Sequence, residues 1–328
     1  MQVSAWISRI PAPSRTTQRV LAIAALVTQA GVATGGAVVR VTGSGLGCPT
    51  WPQCAPGSLV PIADPTRGQV HQWIEFGNRL FGVGVGIVAV LIFLAALLSR
   101  PRRRRYVLLA LTMPLGVVVQ AVLGGLAVLM KLDWWTISLH FLPSALLVWL
   151  GVLLVVAVDE GDEPARLALP RPMRGLQVAL AIVLGCVLVA GTLVTAAGPH
   201  AGDAATPRLD LPVTDLAQMH SDLVFMLIGL LVAAGFALRA TGCSRRAWRA
   251  YHLLAIAVVA QGALGMVQYF LGVPDVLVAL HELGSFLVTA AMAWFWCAVR
   301  DRGPVPAVPG TAAQRAAEAD LPSPSVAA

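Results

Sequence analysis

The chain has 328 residues, of which 57% are hydrophobic and only 12% charged, with a formal net charge of +7 and a mean hydropathy of +0.77. Soluble domains carry about 25% charged residues, so a cytosolic enzyme of this composition would lack the polar surface to cover its core. The basic residues stand in short clusters between apolar runs, which argues against nucleic acid as the reason for the positive charge.

A membrane-crossing helix needs about 20 mostly apolar residues. Eight stretches meet that length: 19–39, 73–98, 106–130, 135–158, 176–197, 214–238, 248–272 and 276–299. They are too long and continuous for barrel strands, which would alternate. The expected fold is therefore all-α and integral to the membrane. Residues 1–18 precede the first span, which follows Arg15 and Arg19. That span lacks a small-residue cleavage site and runs on through Gly35 and Gly36, so it reads as a retained helix. An outer loop at 40–72 separates spans 1 and 2. An acidic linker at 159–175 separates spans 4 and 5, and the Pro/Ala-rich tail at 300–328 is expected to be disordered.

Orientation follows from Lys and Arg. Arg9, Arg15, Arg19, Arg100, Arg102 to Arg105, Arg166, Arg171, Arg174, Arg239, Arg245, Arg246, Arg249, Arg300, Arg302 and Arg315 fall on one side. Only Arg40, Arg67, Lys131 and Arg208 fall on the other, with Arg79 inside span 2. The bias places both termini in the cytoplasm.

The chain repeats itself. Gln120-x-x-Leu123-Gly124 before His140 matches Gln261-x-x-Leu264-Gly265 before His281 at an offset of 141. Gly36-Ala37-Val38-Val39 with Gly43 and Gly47 matches Gly191-Thr192-Leu193-Val194 with Gly198 and Gly202 at an offset of 155. Two matched sets in the same order indicate a duplicated four-helix bundle, 19–158 and 176–299. Each copy has an even number of crossings, so the copies share one orientation. The difference in offset lengthens the first outer loop, which holds Cys48 and Cys54 in Gly47-Cys48-Pro49-Thr50-Trp51-Pro52-Gln53-Cys54. On the outer side such a pair suits a structural disulfide or a redox-active one. Cys186, Cys243 and Cys297 read as small apolar side chains.

Three histidines lie at one depth. His140, His220 and His281 each stand about six residues into spans 4, 6 and 8, roughly 9 Å below the outer surface at 1.5 Å per residue. The repeat places Asn78 at the fourth position, in span 2. A lone intramembrane histidine commonly bonds a neighbouring helix. Three at matched depth on even-numbered helices instead suit axial ligation of an iron porphyrin inside a bundle. His220 and His281 would then clamp one heme, and His140 would face a second pocket across from Asn78. His71 lies two turns further out. His200, in Gly198-Pro199-His200-Ala201-Gly202-Asp203, could touch a heme edge, whereas His252 lies at the cytoplasmic side.

Glu75 stands at the start of span 2, in Trp73-Ile74-Glu75-Phe76-Gly77-Asn78-Arg79, on the same helix face as Asn78. A carboxylate there suits a proton acceptor or a stabiliser of positive charge; the alternative is an ion pair with Arg79. Asp222 and Glu282, each close in sequence to a histidine, are candidates for orienting the imidazoles.

Taken together, the eight spans, the duplicated bundles, the Cys48/Cys54 loop, the Glu75-to-Arg79 element, the 198–203 loop and the three histidines resemble the heme A synthase family over residues 19–299. The resemblance implies oxidation of the C8 methyl of heme O to the formyl group of heme A, which serves cytochrome oxidase. It implies that His220 and His281 are the axial ligands of a resident heme b, and that the N-terminal half binds heme O through His140, with Asn78 and Arg79 beside it. Glu75 matches the family's essential glutamate. Cys48 and Cys54 match a pair linked to a disulfide and to heme transfer from heme O synthase, a farnesyltransferase. Cytochrome oxidase assembly factors would be further partners. The location implied is a bacterial plasma membrane, with the hemes near the extracytoplasmic face and no nucleic acid involved. Many members carry histidine where this chain has Asn78, which would leave His140 as sole ligand of the substrate iron. A diheme electron-transfer cytochrome and a heme transporter or chaperone are the competing readings.

Overall fold

The structure is a computed structural model and describes residues 11–63, 68–167 and 170–306. Eight helices follow in chain order: α1 Arg15–Val41, α2 Gln69–Leu98, α3 Arg104–Leu129, α4 Trp134–Ala157, α5 Arg171–Ala197, α6 Val213–Ala240, α7 Arg245–Phe270 and α8 Asp275–Ala298. All eight are long and apolar enough to cross a membrane. Several begin up to about a turn before the apolar run, and in α1 and α7 a side-chain cap fixes that start. Ser14 accepts the Thr17 N–H at 3.0 Å at the head of α1, and Ser244 accepts the Ala247 N–H at 3.2 Å at the head of α7.

Successive helices run in opposite directions. Helices α1 to α4 close into a ring, with α1 against both α2 and α4. Alanines at the seams, among them Ala22, Ala25, Ala89, Ala96 and Ala110, let these backbones approach closely around Ile92, Met113 and Leu154. In the second half α5 pairs with α6 and α7 with α8, while α6 and α7 touch sparingly. Leu180, Leu231, Leu238, Leu254, Met292 and Phe295 fill that core. The halves meet where α8 packs on α1 and α4, and α4 on α5. Phe286 sits in that junction with Ala145 and Val148. Outward faces carry exposed apolar side chains such as Val27, Val118, Phe236 and Phe270.

One end of the molecule gathers the arginines. Arg19 pairs with Asp159 at 2.5 Å, and Glu160 receives Arg105 at 2.9 Å and Arg246 at 3.9 Å. Buried Arg103 donates to the carbonyls of Ala157 and Glu160, and its burial lowers its pKa. The linker and the start of the tail are ordered there. Strands β1 (Arg166–Leu167) and β2 (Arg300–Asp301) pair antiparallel, and the Gly161 N–H donates to the Gly303 carbonyl. Residues 300–306, at the head of the tail, make backbone pairs with the linker and the Arg302–Glu163 hydrogen bond. Residues 307–328, with Arg9, Arg67 and Arg315, lie outside the described residues.

Candidate functional site

At the opposite end, a mainly apolar cavity of about 1960 Å³ extends through both halves, lined by His140, His220, His281, Asn78 and Glu75 among others. The three imidazoles enter it in the same manner. Each comes from an even-numbered helix and lies against a glycine of the helix before it. A Cβ added at Gly124, Gly191 or Gly265 would stand 3.2, 3.3 or 2.9 Å from Cε1 of His140, His220 or His281 respectively. The recurring glutamines fasten two of these helix pairs. Gln261 donates to the His281 carbonyl at 2.8 Å, and Gln120 donates to Ser144, which in turn donates to the His140 carbonyl. Gln120 and Gly124, like Gln261 and Gly265, stand four residues apart and share a helix face. One residue ties the next helix down, and the other makes room for its ring. Asn78 takes the fourth position, with its Oδ1 buried, unbonded and 2.4 Å from where a Cβ of Gly35 would lie.

The ring nitrogens show what these histidines are free to do. His220 Nδ1 donates to the Val187 carbonyl at 3.1 Å, an arrangement that directs the lone pair of Nε2 away from the protein bond. The buried Nδ1 atoms of His140 and His281 have no hydrogen-bond partner among the described residues, so no such bond fixes these two rings. Among the described residues no three His, Cys, Asp or Glu converge on one point. One imidazole per helix suits a macrocycle that brings its own equatorial ligands and needs only axial donors, and the apolar walls suit its faces.

The Cys48–Cys54 disulfide is formed, and its loop covers the N-terminal half of the cavity. Trp51 lies over Gly125, where a Cβ would come within 2.5 Å of the indole. Glu75 and Arg79 hold that loop. Glu75 Oε1 receives Arg79 Nη2 at 2.6 Å, and Glu75 Oε2 receives the Cys48 N–H at 2.7 Å. Arg79 also donates to the carbonyls of Cys48, Thr50 and Gln53. The ion pair weighed as the alternative for Glu75 is therefore present, and the carboxylate also lines the cavity. Arg79 directs its donors at the loop.

Two expectations are corrected. Glu282 does not orient an imidazole: it pairs with Arg40 of α1 at 3.1 Å, and Arg40 also donates to the His200 carbonyl at 2.8 Å. Asp222 accepts from Gln218 on its own helix. Residues one or two apart on a helix do not face the same way, so proximity in sequence was the wrong signal. His200 lines the cavity, but both of its nitrogens are engaged, by the Val273 carbonyl and Asp275. His71 Nδ1 bonds Ser44 at 3.0 Å, and His252 stacks on Trp248. The glycine seats, the Val187 carbonyl and Arg40 went unremarked as site residues in the sequence. The repeated spacing of Gly124 and Gly265 from the histidines was the available signal for the first.

The sequence also matches known proteins. Residues 19–210 match the model of the COX15-CtaA family, described as cytochrome oxidase assembly protein. A heme A synthase of Staphylococcus aureus (strain bovine RF122 / ET3-1) is 29% identical over 212 residues, 62% of this chain and 65% of that relative. Heme A synthases of Geobacillus thermodenitrificans and Geobacillus kaustophilus are 34% and 33% identical over 135 and 140 residues, in each case 40% of both chains. The matched stretches thus span less than two thirds of these relatives. With more than half of its residues matched by the family model, the chain belongs to the COX15-CtaA family of cytochrome oxidase assembly proteins.

Proposed function

We propose that this protein is a heme A synthase of a bacterial plasma membrane, oriented with both termini in the cytoplasm. It oxidises the C8 methyl of heme O to a formyl group, a four-electron oxidation that adds one oxygen atom. The observation that carries this reading is the repeated seating of His140, His220 and His281 on glycines around one cavity, beneath the loop that Glu75 and Arg79 fasten.

In this reading His220 and His281 would hold a resident heme b in the α5 to α8 bundle. A bound heme b supplies one-electron redox chemistry. The Val187 carbonyl fixes the His220 tautomer. His140 would hold the iron of the substrate, heme O, in the N-terminal half, with Asn78 beside it on the cavity wall. Glu75 is assigned to the reacting carbon, where its carboxylate stabilises positive charge or accepts a proton. Trp51 and the disulfide loop exclude water from that half. Heme O synthase would deliver the substrate, and oxidase assembly would take the product.

The test is extraction and mass identification of hemes from the purified protein and its variants, expressed with a supply of heme O. Glu75→Gln keeps an acceptor for the Cys48 N–H and should retain heme b while accumulating heme O or a partly oxidised product. Normal heme A formation by that variant removes Glu75 from the mechanism. His220→Ala and His281→Ala should lose the low-spin heme b spectrum, and an unchanged spectrum refutes the ligand assignment.

A further inference from the structure

The two halves of the cavity differ in depth. In the C-terminal half its lining runs along α6 from His220 to Ile228 and along α7 from Gly265 to Val258, about 10 to 12 Å at 1.5 Å per residue. In the N-terminal half it runs along α2 from Asn78 to Leu91 and along α3 from Gly124 to Pro114, about 15 to 20 Å by the same rise. The added depth is wholly apolar. Its walls include Val83, Ile87, Val90, Leu91 and Val118, which are also exposed on the outer surface, so the groove opens sideways towards lipid. Gly82 and Gly86, one turn apart on α2, hold it open. A Cβ at Gly82 would meet nothing within 4 Å, and one at Gly86 would meet only Val117 Cγ1 at 3.6 Å.

We infer that this α2–α3 groove is a subsite for the isoprenoid tail of the substrate heme, and that its greater depth in this half sorts the two hemes. The inference rests on the heme O reading above. Heme O differs from heme b by a farnesyl-derived chain, and that chain needs a long apolar channel continuous with the ring pocket. The groove begins at Asn78 and His140, where the ring is held, and continues along α2 for about the reach of such a chain. The shallower C-terminal half fits a porphyrin without a tail. The sideways opening lets a lipid-dissolved substrate enter tail and all, with no need to carry an apolar chain through water.

Groove-filling substitutions test this without damaging the frame. Gly82→Leu and Gly86→Leu place side chains in open space, and both exchange a poor helix former for a good one. Gly262→Leu is the control, because a Cβ there, on the cavity wall of α7, also meets nothing within 4 Å. Each full-length variant is expressed with a supply of heme O and purified in detergent, and its hemes and lipids are extracted and quantified by mass. Gly82→Leu and Gly86→Leu should lower tail-bearing hemes at least tenfold and leave heme b at the wild-type level, whereas Gly262→Leu should leave tail-bearing hemes unchanged. Wild-type amounts of tail-bearing heme in both α2 variants overturn the groove while leaving the heme O reading intact. Equal loss of heme b and tail-bearing heme overturns the sorting. A wild-type protein that carries phospholipid and never a tail-bearing heme overturns the groove together with the reading beneath it.

Discussion

Adding one methyl group at Gly265 tests whether the glycine seats exist for the imidazoles. An alanine Cβ there would lie 2.9 Å from His281 Cε1, closer than side-chain carbons are found, against 3.2 Å for Gly124 and His140 and 3.3 Å for Gly191 and His220. What it meets is the end of a side chain, so the ring gives way and the backbone stays. Alanine in place of a mid-helix glycine contributes about 1 kcal/mol through helix propensity, and overpacking costs about 1 to 3 kcal/mol. Because a single ring end can move aside, the cost falls at the low end of that range and the two offset each other, so the thermal midpoint of the heme-free protein should hardly move. Under the proposed function the ring of the heme-bound protein would be pinned by iron and unable to retreat, so the strain would fall on ligation. A strain of about 1.4 kcal/mol weakens heme binding tenfold. Heme titration followed by the low-spin absorbance should rank heme b affinity as wild type, then Gly191→Ala, then Gly265→Ala. Gly124→Ala should spare heme b. Heme b affinity unchanged in Gly265→Ala, or weakened equally by Gly124→Ala, would refute the seating argument.

Arg40 and Glu282 join the two halves with side chains only 12% and 15% exposed. Arg40→Met alone should destabilise the protein by about 3 kcal/mol by stranding the carboxylate, while Arg40→Met with Glu282→Leu should recover most of that in detergent thermal unfolding; additive losses would mean that the pair is not coupled. Replacing Cys48 and Cys54 by serine should cost about 2 kcal/mol, the loop-closure entropy of so short a loop, because the cysteines are only six residues apart. Unchanged thermal stability alongside lost heme A formation would instead assign the pair a chemical role.

The helices and the depth of the histidines were legible because both depend on periodic, local information. Apolar runs of membrane length set the spans, and the offset of 141 placed His140 and His281 at equal positions. Partners across space were not legible. Glu282 follows His281 directly, yet a step of one residue turns the side chain to another helix face, where it finds Arg40 more than two hundred residues earlier in the chain. The double duty of Glu75 was half visible: the i,i+4 spacing to Arg79 suggested the pair, but nothing in the sequence announced the Cys48 N–H on its other oxygen. The tail's first residues escaped notice because a two-residue strand carries no periodicity to read, and only its partner at Arg166–Leu167 gives it order.

The packing of the halves bears on their ancestry. Contact of α1 with α8 is mirrored by contact of α5 with α4, and α4 meets its own counterpart α8 between them. That is the pattern of a self-complementary dimer about a two-fold axis, with both subunits now on one polypeptide. Ala145 and Phe286, counterparts at the offset of 141, share a cluster near that axis. Two identical subunits could place only a pair of alanines or a pair of phenylalanines there. Joining the subunits in one chain releases this constraint, so that a small residue can accept a large one, and under the proposed function the same freedom lets one half serve a permanent guest and the other a passing one.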